Sequence, residues 1–285
     1  MIPADQKLSH QEALLPAVAI QLFQEWMLIH DDVEDNGTMR RKRPALHKLY
    51  GNSIAINAGD HIHMESWNIL KDYIKANSDI GIRVYEKFHD IAKAAIEGQF
   101  LDLDFSLKHN LDLINENVYY NIADKKSAYY SVYGPLQIGA LISNQDGKII
   151  NLLREIGKPV GIAAQIQDDL LDFYKYNEFG KEQHQDLREG KLTLIILHAY
   201  ANSGIEDRGR IRSIFKKSPA EKTKEDIDRL LRIIRKCNSI NYAKRQRNNL
   251  GKLAENVLVK NKALINKYYF SILKDAIRFE YTRRT

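Results

Sequence analysis

Twice in this chain a long apolar run closes on aspartates spaced i, i+1 and i+4. The first copy is Leu28-Ile-His-Asp-Asp-Val-Glu-Asp35, and the second is Gln165-Ile-Gln-Asp-Asp-Leu-Leu-Asp172. On a helix, positions i and i+4 point the same way, so each copy aims two carboxylates in one direction. Carboxylates at a helix C-terminus oppose the helix dipole, and unpaired charge beside apolar helix walls costs several kcal/mol. Each cluster therefore calls for a cation. Two such clusters facing one another would form a bowl for hard divalent ions.

The rest of the chain reads as helix. Alternating β-branched runs bounded by turns are scarce, and segments with a 3.6-residue period dominate, which predicts an all-α protein. Residues 1–10 read as an irregular lead-in. A helix is expected from near Pro16 to about Asp35, buried all round because Val18, Ile20, Leu22, Phe23, Trp26, Met27, Leu28 and Ile29 cover nearly every face. Asn36-Gly37 breaks it, and a basic loop, Arg40 to His47, follows. Further helices are expected over about 54–75, 79–106, 113–142 and 148–177, the last kinked or restarted by Pro159. The segments around Asp186 read as loop, another apolar helix begins near Leu192, and the basic C-terminal part is amphipathic. No linker or short-period repeat interrupts the 285 residues, which predicts one large helical domain.

Composition narrows the class. Hydrophobic residues make up 44% and charged residues 28%, as in a soluble globular protein. The one cysteine, Cys237, excludes an intrachain disulfide and fits a reducing compartment. No apolar run is expected to reach membrane-spanning length without interruption, and the N-terminus lacks a signal-peptide layout, so a cytoplasmic location without stable membrane insertion is expected. A net charge of +6 permits nucleic acid, headgroups or phosphorylated small molecules as partners. Since basic residues gather in Arg40–Arg43 and the C-terminal third while acids gather in the two clusters, a metal-plus-phosphate site is favoured over a nucleic-acid face.

Oxygen-only ligands, with no neighbouring Cys or paired His, point to Mg²⁺, with Mn²⁺ as the alternative, rather than zinc. Such ions take one or two carboxylates each and fill their shells with water and substrate phosphate. The run Arg40-Arg-Lys-Arg43, read alone, is a solvated loop; five residues after an acidic cluster it reads as a phosphate clamp.

Asp31-Asp-Val-Glu-Asp35 with Arg40-Arg41, then Gly59-Asp60, Glu97-Gly-Gln99, Lys126-Ser127, Gln165-Ile-Gln-Asp-Asp-Leu-Leu-Asp172, Lys181, Asp186, Gly190-Lys191 and Thr193 resemble the trans-type polyprenyl synthetases, the short-chain isoprenyl diphosphate synthases. The resemblance covers about residues 12–200, in the family's order. It implies the isoprenoid synthase fold, a helical bundle around a deep central cavity, and a homodimer. It also implies an enzyme, a Mg²⁺-dependent prenyl transferase joining isopentenyl diphosphate to an allylic diphosphate to give farnesyl or geranylgeranyl diphosphate and pyrophosphate.

The residues carry over position by position. The resemblance implies three Mg²⁺ ions held by Asp31, Asp35 and Asp168, with Asp32, Asp169 and Asp172 as outer-shell or water-mediated ligands. Arg40, Lys126 and Lys181 match contacts to the allylic diphosphate, with Ser127 and Gln165 beside them, and Arg41 matches the contact to isopentenyl diphosphate. Lys191, Thr193 and His47 also match family positions, and Gln24 resembles the polar residue seven before the first aspartate. Leaving pyrophosphate must be stabilised in a dry site, which divalent ions with Arg and Lys supply while apolar walls shield the allylic cation. No protein general base is needed, because the departing pyrophosphate can take the proton.

Product length depends on what floors the cavity. An ideal helical wheel puts Met27 and Phe23 on the face of Asp31, while the family pattern puts its determinants at Met27 and Trp26. A Trp there stops elongation early. The family's Gly-Gly-Lys-x-x-Arg-Pro motif, which helps bind isopentenyl diphosphate, is not found ahead of Asp31. Either the chain as given begins late or isopentenyl binding is weakened, with Lys7 as a poor substitute. Lys42 replaces the glycine usual after the arginine pair. Two other readings stand beside the enzyme: a non-catalytic regulatory subunit of a heteromeric synthase, and a class I terpene cyclase, against which Asp168-Asp-Leu-Leu-Asp172 counts.

Overall fold

The computed structural model describes residues 10–108, 111–173 and 184–282. Its helices are α1 (His10–Glu34), α2 (Leu46–Tyr50), α3 (Asn52–Ala76), α4 (Ser78–Lys108), α5 (Glu116–Ala123), α6 (Gly134–Ile142) and α7 (Gly147–Leu171). Beyond these come α8 (Gln185–Glu189), α9 (Leu194–Asn202), α10 (Ile205–Phe215), α11 (Lys224–Lys236), α12 (Ser239–Lys260) and α13 (Lys267–Thr282). The all-α expectation is met. Among the described residues the only sheet is a pair of two-residue strands, β1 (Met39–Arg40) and β2 (Arg43–Pro44).

The chain forms two compact units that interleave in sequence. The first draws its described residues from Met1–Lys93 and Tyr130–Glu155, and the second from Ala94–Tyr129, Ile156–Asn177 and Glu182–Thr285. In the first unit α1 packs chiefly on α3 and also touches α2 and α6. In the second, α9 packs on α5, α10, α11 and α12, and α13 lies on α12.

α1 differs from expectation. Its buried apolar positions form one stripe, Pro16, Ala19, Phe23 and Met27, while Leu14 and Leu15 are exposed. The steps of three and four are those of one helix face, so the apolar residues off that face are not enclosed. Among the described residues, α1 (over Ala13–Glu34) is also long and apolar enough to cross a membrane by length and composition, contrary to the expected interruption.

The single helix expected over 113–142 is three pieces. Asn115 caps α5, its side chain accepting from the backbone of Asn117 and Val118. A ten-residue π-helix, Asp124–Tyr133, then separates α5 from α6. π-Turns are rare and concentrate at functional sites. Two glycines of the second unit make room for it. A Cβ on Gly98 of α4 would stand 2.3 Å from the Lys126 backbone nitrogen, and one on Gly161 of α7 would stand 2.3 Å from the Ala128 Cβ. α7 runs unbroken through Pro159, so the expected restart does not occur. The C-terminal part, left unassigned from sequence, is α10 to α13; Thr223 and Asp226 form a capping box at the start of α11.

Candidate active site

In the first unit, α1 delivers its acids where the helix stops. Asp32 is buried, Asp31 is partly exposed, and Asp35 lies just past the last helical residue. The predicted cation is present. Arg40, on β1, donates from Nη2 to Asp32 Oδ1 at 2.6 Å and from Nε to Oδ2 at 3.0 Å, and its Nη2 lies 3.6 Å from Asp31 Oδ2. This charge-assisted fork offsets the carboxylates at the unfavourable end of the helix.

The basic stretch is a hairpin rather than an irregular loop. Met39 pairs with Pro44 and Arg40 with Arg43, leaving Arg41 and Lys42 at the tip with φ of 51° and 65°. A two-residue hairpin loop of this kind wants left-handed residues, which explains why glycine suits the position of Lys42. The tip turns Arg41 back onto α1, where it donates to both carboxylate oxygens of Glu25, Nη2 to Oε1 at 2.7 Å and Nη1 to Oε2 at 3.2 Å. Glu25, Arg40, Arg41 and Arg43, with Leu28 and Ile29, line an open cleft of about 450 Å³. His47 on α2 is buried, with neither ring nitrogen hydrogen-bonded, and burial pushes its pKa down, which favours neutral imidazole. Gln24 is half-buried on α1.

Below the acids, the candidate length determinants separate by burial. Phe23 and Met27 are buried, while Trp26 is half-buried and stacks on His63 of α3 with ring centroids 4.0 Å apart and planes 9° from parallel. His63 Nε2 accepts from Trp67 Nε1 at 2.9 Å, so its ring is oriented from the far side. Phe23 meets Phe88 edge-on at 5.6 Å. A Cβ on Gly59 would meet the His30 ring at 2.7 Å, so that glycine lets α3 approach α1 closely.

In the second unit, the aspartates at the end of α7 and just past it divide sharply. Asp168 is exposed; Asp169 and Asp172 are buried. Asp169 accepts from Tyr119 Oη at 2.7 Å and from Gln165 Nε2 at 3.0 Å, and Ser127 Oγ donates to Gln165 Oε1 at 2.7 Å. The π-helix is thus tied to α7 by a chain of hydrogen bonds. Burial, with the field of Asp186, pushes the Asp169 pKa up to about 7, and the bonds from Tyr119 and Gln165 hold it back. The Tyr119 hydroxyl is pushed well above its ordinary value by burial and by the adjacent carboxylate. Asp172 accepts from the Gln185 backbone N–H at 2.9 Å, at the start of α8.

Lys126 presents its amine from the π-helix and donates to Asp102 of α4 at 2.6 Å. Lys191 lies 2.9 Å from Glu189, and Thr193 caps α9, its hydroxyl accepting from the Ile196 backbone. Lys181 and Lys7 lie outside the described residues. Among the described residues, no three His, Cys, Asp or Glu side chains gather as a ready-made metal cage. Asp168, exposed, and Asp31, partly exposed, are hard oxygen donors of the kind Mg²⁺ takes alongside water and phosphate.

The family model described as Polyprenyl synthetase matches residues 4–234. The chain belongs to the polyprenyl synthetase family. It is 34% identical over 242 residues to the geranylgeranyl diphosphate synthase of Methanosarcina mazei, covering 83% of this chain and 69% of that protein. It is 30% identical over 256 residues to the geranylfarnesyl diphosphate synthase of Natronomonas pharaonis, covering 88% and 71%. Among solved structures, the polyprenyl synthase of Caulobacter crescentus, in complex with calcium and isoprenyl diphosphate, superposes with a TM-score of 0.83 at 26% identity, covering 95% of this chain and 78% of that one.

This polyprenyl synthetase has the isoprenoid synthase fold and is a prenyl transferase. Sequence reasoning singled out the acidic clusters, the arginine pair, Lys126, Ser127 and Gln165. It missed Tyr119, Asp102 and Glu25, which have no motif of their own. It also missed the π-helix, for which Gly98 and Gly161 are the residues that make room.

Proposed function

We propose that the enzyme carries out Mg²⁺-dependent head-to-tail condensation of an allylic diphosphate with isopentenyl diphosphate, stopping at the farnesyl or geranylgeranyl product. The observation that supports this reading is that each unit sets an accessible aspartate near basic side chains: Asp31 lies 3.6 Å from Arg40, and Asp168 stands on the helix whose Gln165 is hydrogen-bonded to Ser127, next to Lys126.

In this reading Asp31, Asp35 and Asp168 hold the Mg²⁺ ions, three in number, and Asp32, Asp169 and Asp172 act from behind. When bound, the ions neutralise charge on the departing pyrophosphate and make it a better leaving group. Arg40, Lys126 and Lys181 donate to the allylic diphosphate; for Arg40 this means exchanging Asp32 for phosphate oxygens, which offer its guanidinium the same forked acceptor. Ser127 and Gln165 orient that segment. Arg41 holds isopentenyl diphosphate, with His47 and Gln24 nearby and Lys191 bracing the segment after the second cluster. Phe23, Trp26 and Met27 line the end of the growing chain, keep water from the allylic cation, and limit its length. The double bond of the isopentenyl substrate attacks the cation, and the proton then lost passes to pyrophosphate. The working assembly is a homodimer handling small-molecule substrates only.

Incubation with Mg²⁺, isopentenyl diphosphate and each allylic starter in turn, with products resolved by chain length, tests the reading. A farnesyl or geranylgeranyl product supports it, and no product from any starter overturns it. Trp26→Ala then lengthens the product; an unchanged distribution removes Trp26 from the floor.

A further inference from the structure

The two arginines at the hairpin are both tethered to α1, but by unlike acids. Arg40 is held by Asp32, a member of the aspartate cluster, whereas Arg41 is held by Glu25, which belongs to no motif. Glu25 is itself oriented by Gln21, whose amide donates to Oε1 at 2.7 Å. A carboxylate gripped through both oxygens by a guanidinium imitates the way two phosphate oxygens are gripped. Glu25 therefore occupies the donor set that Arg41 would offer to a diphosphate, at the rim of the cleft that also holds Arg40 and Arg43.

We infer that Glu25 is an internal counter-anion that competes with isopentenyl diphosphate for Arg41 and so sets the affinity for that substrate alone. The inference rests on the reading of Arg41 as an isopentenyl diphosphate ligand. The Arg41 side chain is 61% exposed and that of Glu25 30%, so the pair is solvated and weak. A dianionic head displaces it readily, yet must do so each time it binds. Once displaced, Glu25 remains beside the substrate as a like charge. The allylic side is spared, because the counter-ion of Arg40 is Asp32.

Glu25→Gln keeps the shape and removes the charge. Calorimetric titration of the full chain with isopentenyl diphosphate should give a dissociation constant lower by about five-fold, the ceiling for an exposed pair. The steady-state KM for isopentenyl diphosphate should fall in parallel while the KM for the allylic diphosphate stays unchanged. Glu25→Ala should behave alike, guarding against an idiosyncrasy of the amide. In an Arg41→Gln background, Glu25→Gln should give no gain. Equal affinity in Glu25→Gln and wild type, a gain for both substrates alike, or a gain that persists without Arg41 would each overturn the inference. If Arg41→Gln weakens isopentenyl binding while Glu25→Gln changes nothing, the assignment of Arg41 survives and only the role of Glu25 falls. If Arg41→Gln leaves binding unchanged, both fall.

Discussion

At the end of α1, Asp32 is gripped by a charged guanidinium from a hairpin eight residues on; at the end of α7, Asp169 is gripped by a phenol and an amide and lies wholly inside its unit. The helices differ in the same sense. α1 buries a stripe, while α7 is buried on every side from Pro159 to Ala164. One spacing of aspartates has therefore been built in two ways. The first cluster is stabilised by opposite charge, which a substrate diphosphate can take over. The second is held by neutral donors, which favour the ionised carboxylate, against burial, which pushes the Asp169 pKa up to about 7. Asp168 is exposed and Asp31 partly so, and these are the two carboxylates that the proposed reading gives to a metal, with the buried neighbour anchoring the helix end.

The largest effect should come from Asp31 and Asp168. Asp31→Asn and Asp168→Asn should each lower turnover by about 10²- to 10³-fold, the scale of losing one charge-stabilising group, with melting temperatures unchanged. Steady-state rates and thermal melts check this together. If the loss instead tracks a fall in melting temperature, the division between ligand and anchor is wrong.

Close packing separates the units next. A methyl on Gly98 runs into the Lys126 backbone, which cannot yield, whereas one on Gly59 meets the His30 ring, which can turn. Gly98→Ala should cost about 3 kcal/mol and Gly59→Ala about 1 kcal/mol, within the range for overpacked sites. Denaturant titration compares them, and equal costs would remove the special demand of the π-helix. This asymmetry also marks what the sequence could tell. Arg40 was foreseeable because an acidic helix end needs a cation nearby in the chain, and one stood eight residues away. Tyr119 with Asp169 and Lys126 with Asp102 are 50 and 24 residues apart, so no local period joins them. The π-helix was hidden for a related reason: one inserted residue per turn leaves a stretch such as 113–142 apolar at nearly helical spacing. For α1 the error ran the other way, since apolar residues on every face do not ensure that a neighbour covers every face.

The anchor role of Asp169 predicts a stability effect without a proportional loss of chemistry. Tyr119→Phe removes one of two donors to a buried carboxyl and should cost about 1–3 kcal/mol, read from the denaturation midpoint. No change in midpoint would mean that the hydroxyl contributes nothing to holding α7.

Burial in the second unit should also appear in its pH dependence. Lys222 is buried, donates to the Arg188 carbonyl at 2.7 Å, and has its pKa pushed from 10.5 to about 8 by that burial. Between those values the unfolded chain carries a proton that the folded chain lacks, so stability rises with pH from about 8 to 10.5 and is flat for this group below 8. The gain should be about 1–2 kcal/mol by pH 10, and Lys222→Met should remove that slope. A wild-type curve that falls steadily over the same range, unaltered in the variant, would contradict the burial argument.

The smallest effect belongs to the hairpin of the first unit. Lys42 holds φ at 65°, where a side chain costs about 1–2 kcal/mol, while glycine there gives back roughly 0.5–1 kcal/mol through the greater freedom of the unfolded chain. The difference favours Lys42→Gly by about 0.5 kcal/mol, a shift of a degree or two in melting temperature. Its value lies in the sign. Lys42 is exposed at the tip of the hairpin, so a stabilising result would mean that the chain keeps a strained cation beside Arg40 and Arg41 at a cost to its fold. A destabilising result would mean that the lysine contributes contacts that outweigh the strain. The hairpin would then be held by more than the forks that Arg40 and Arg41 make to α1.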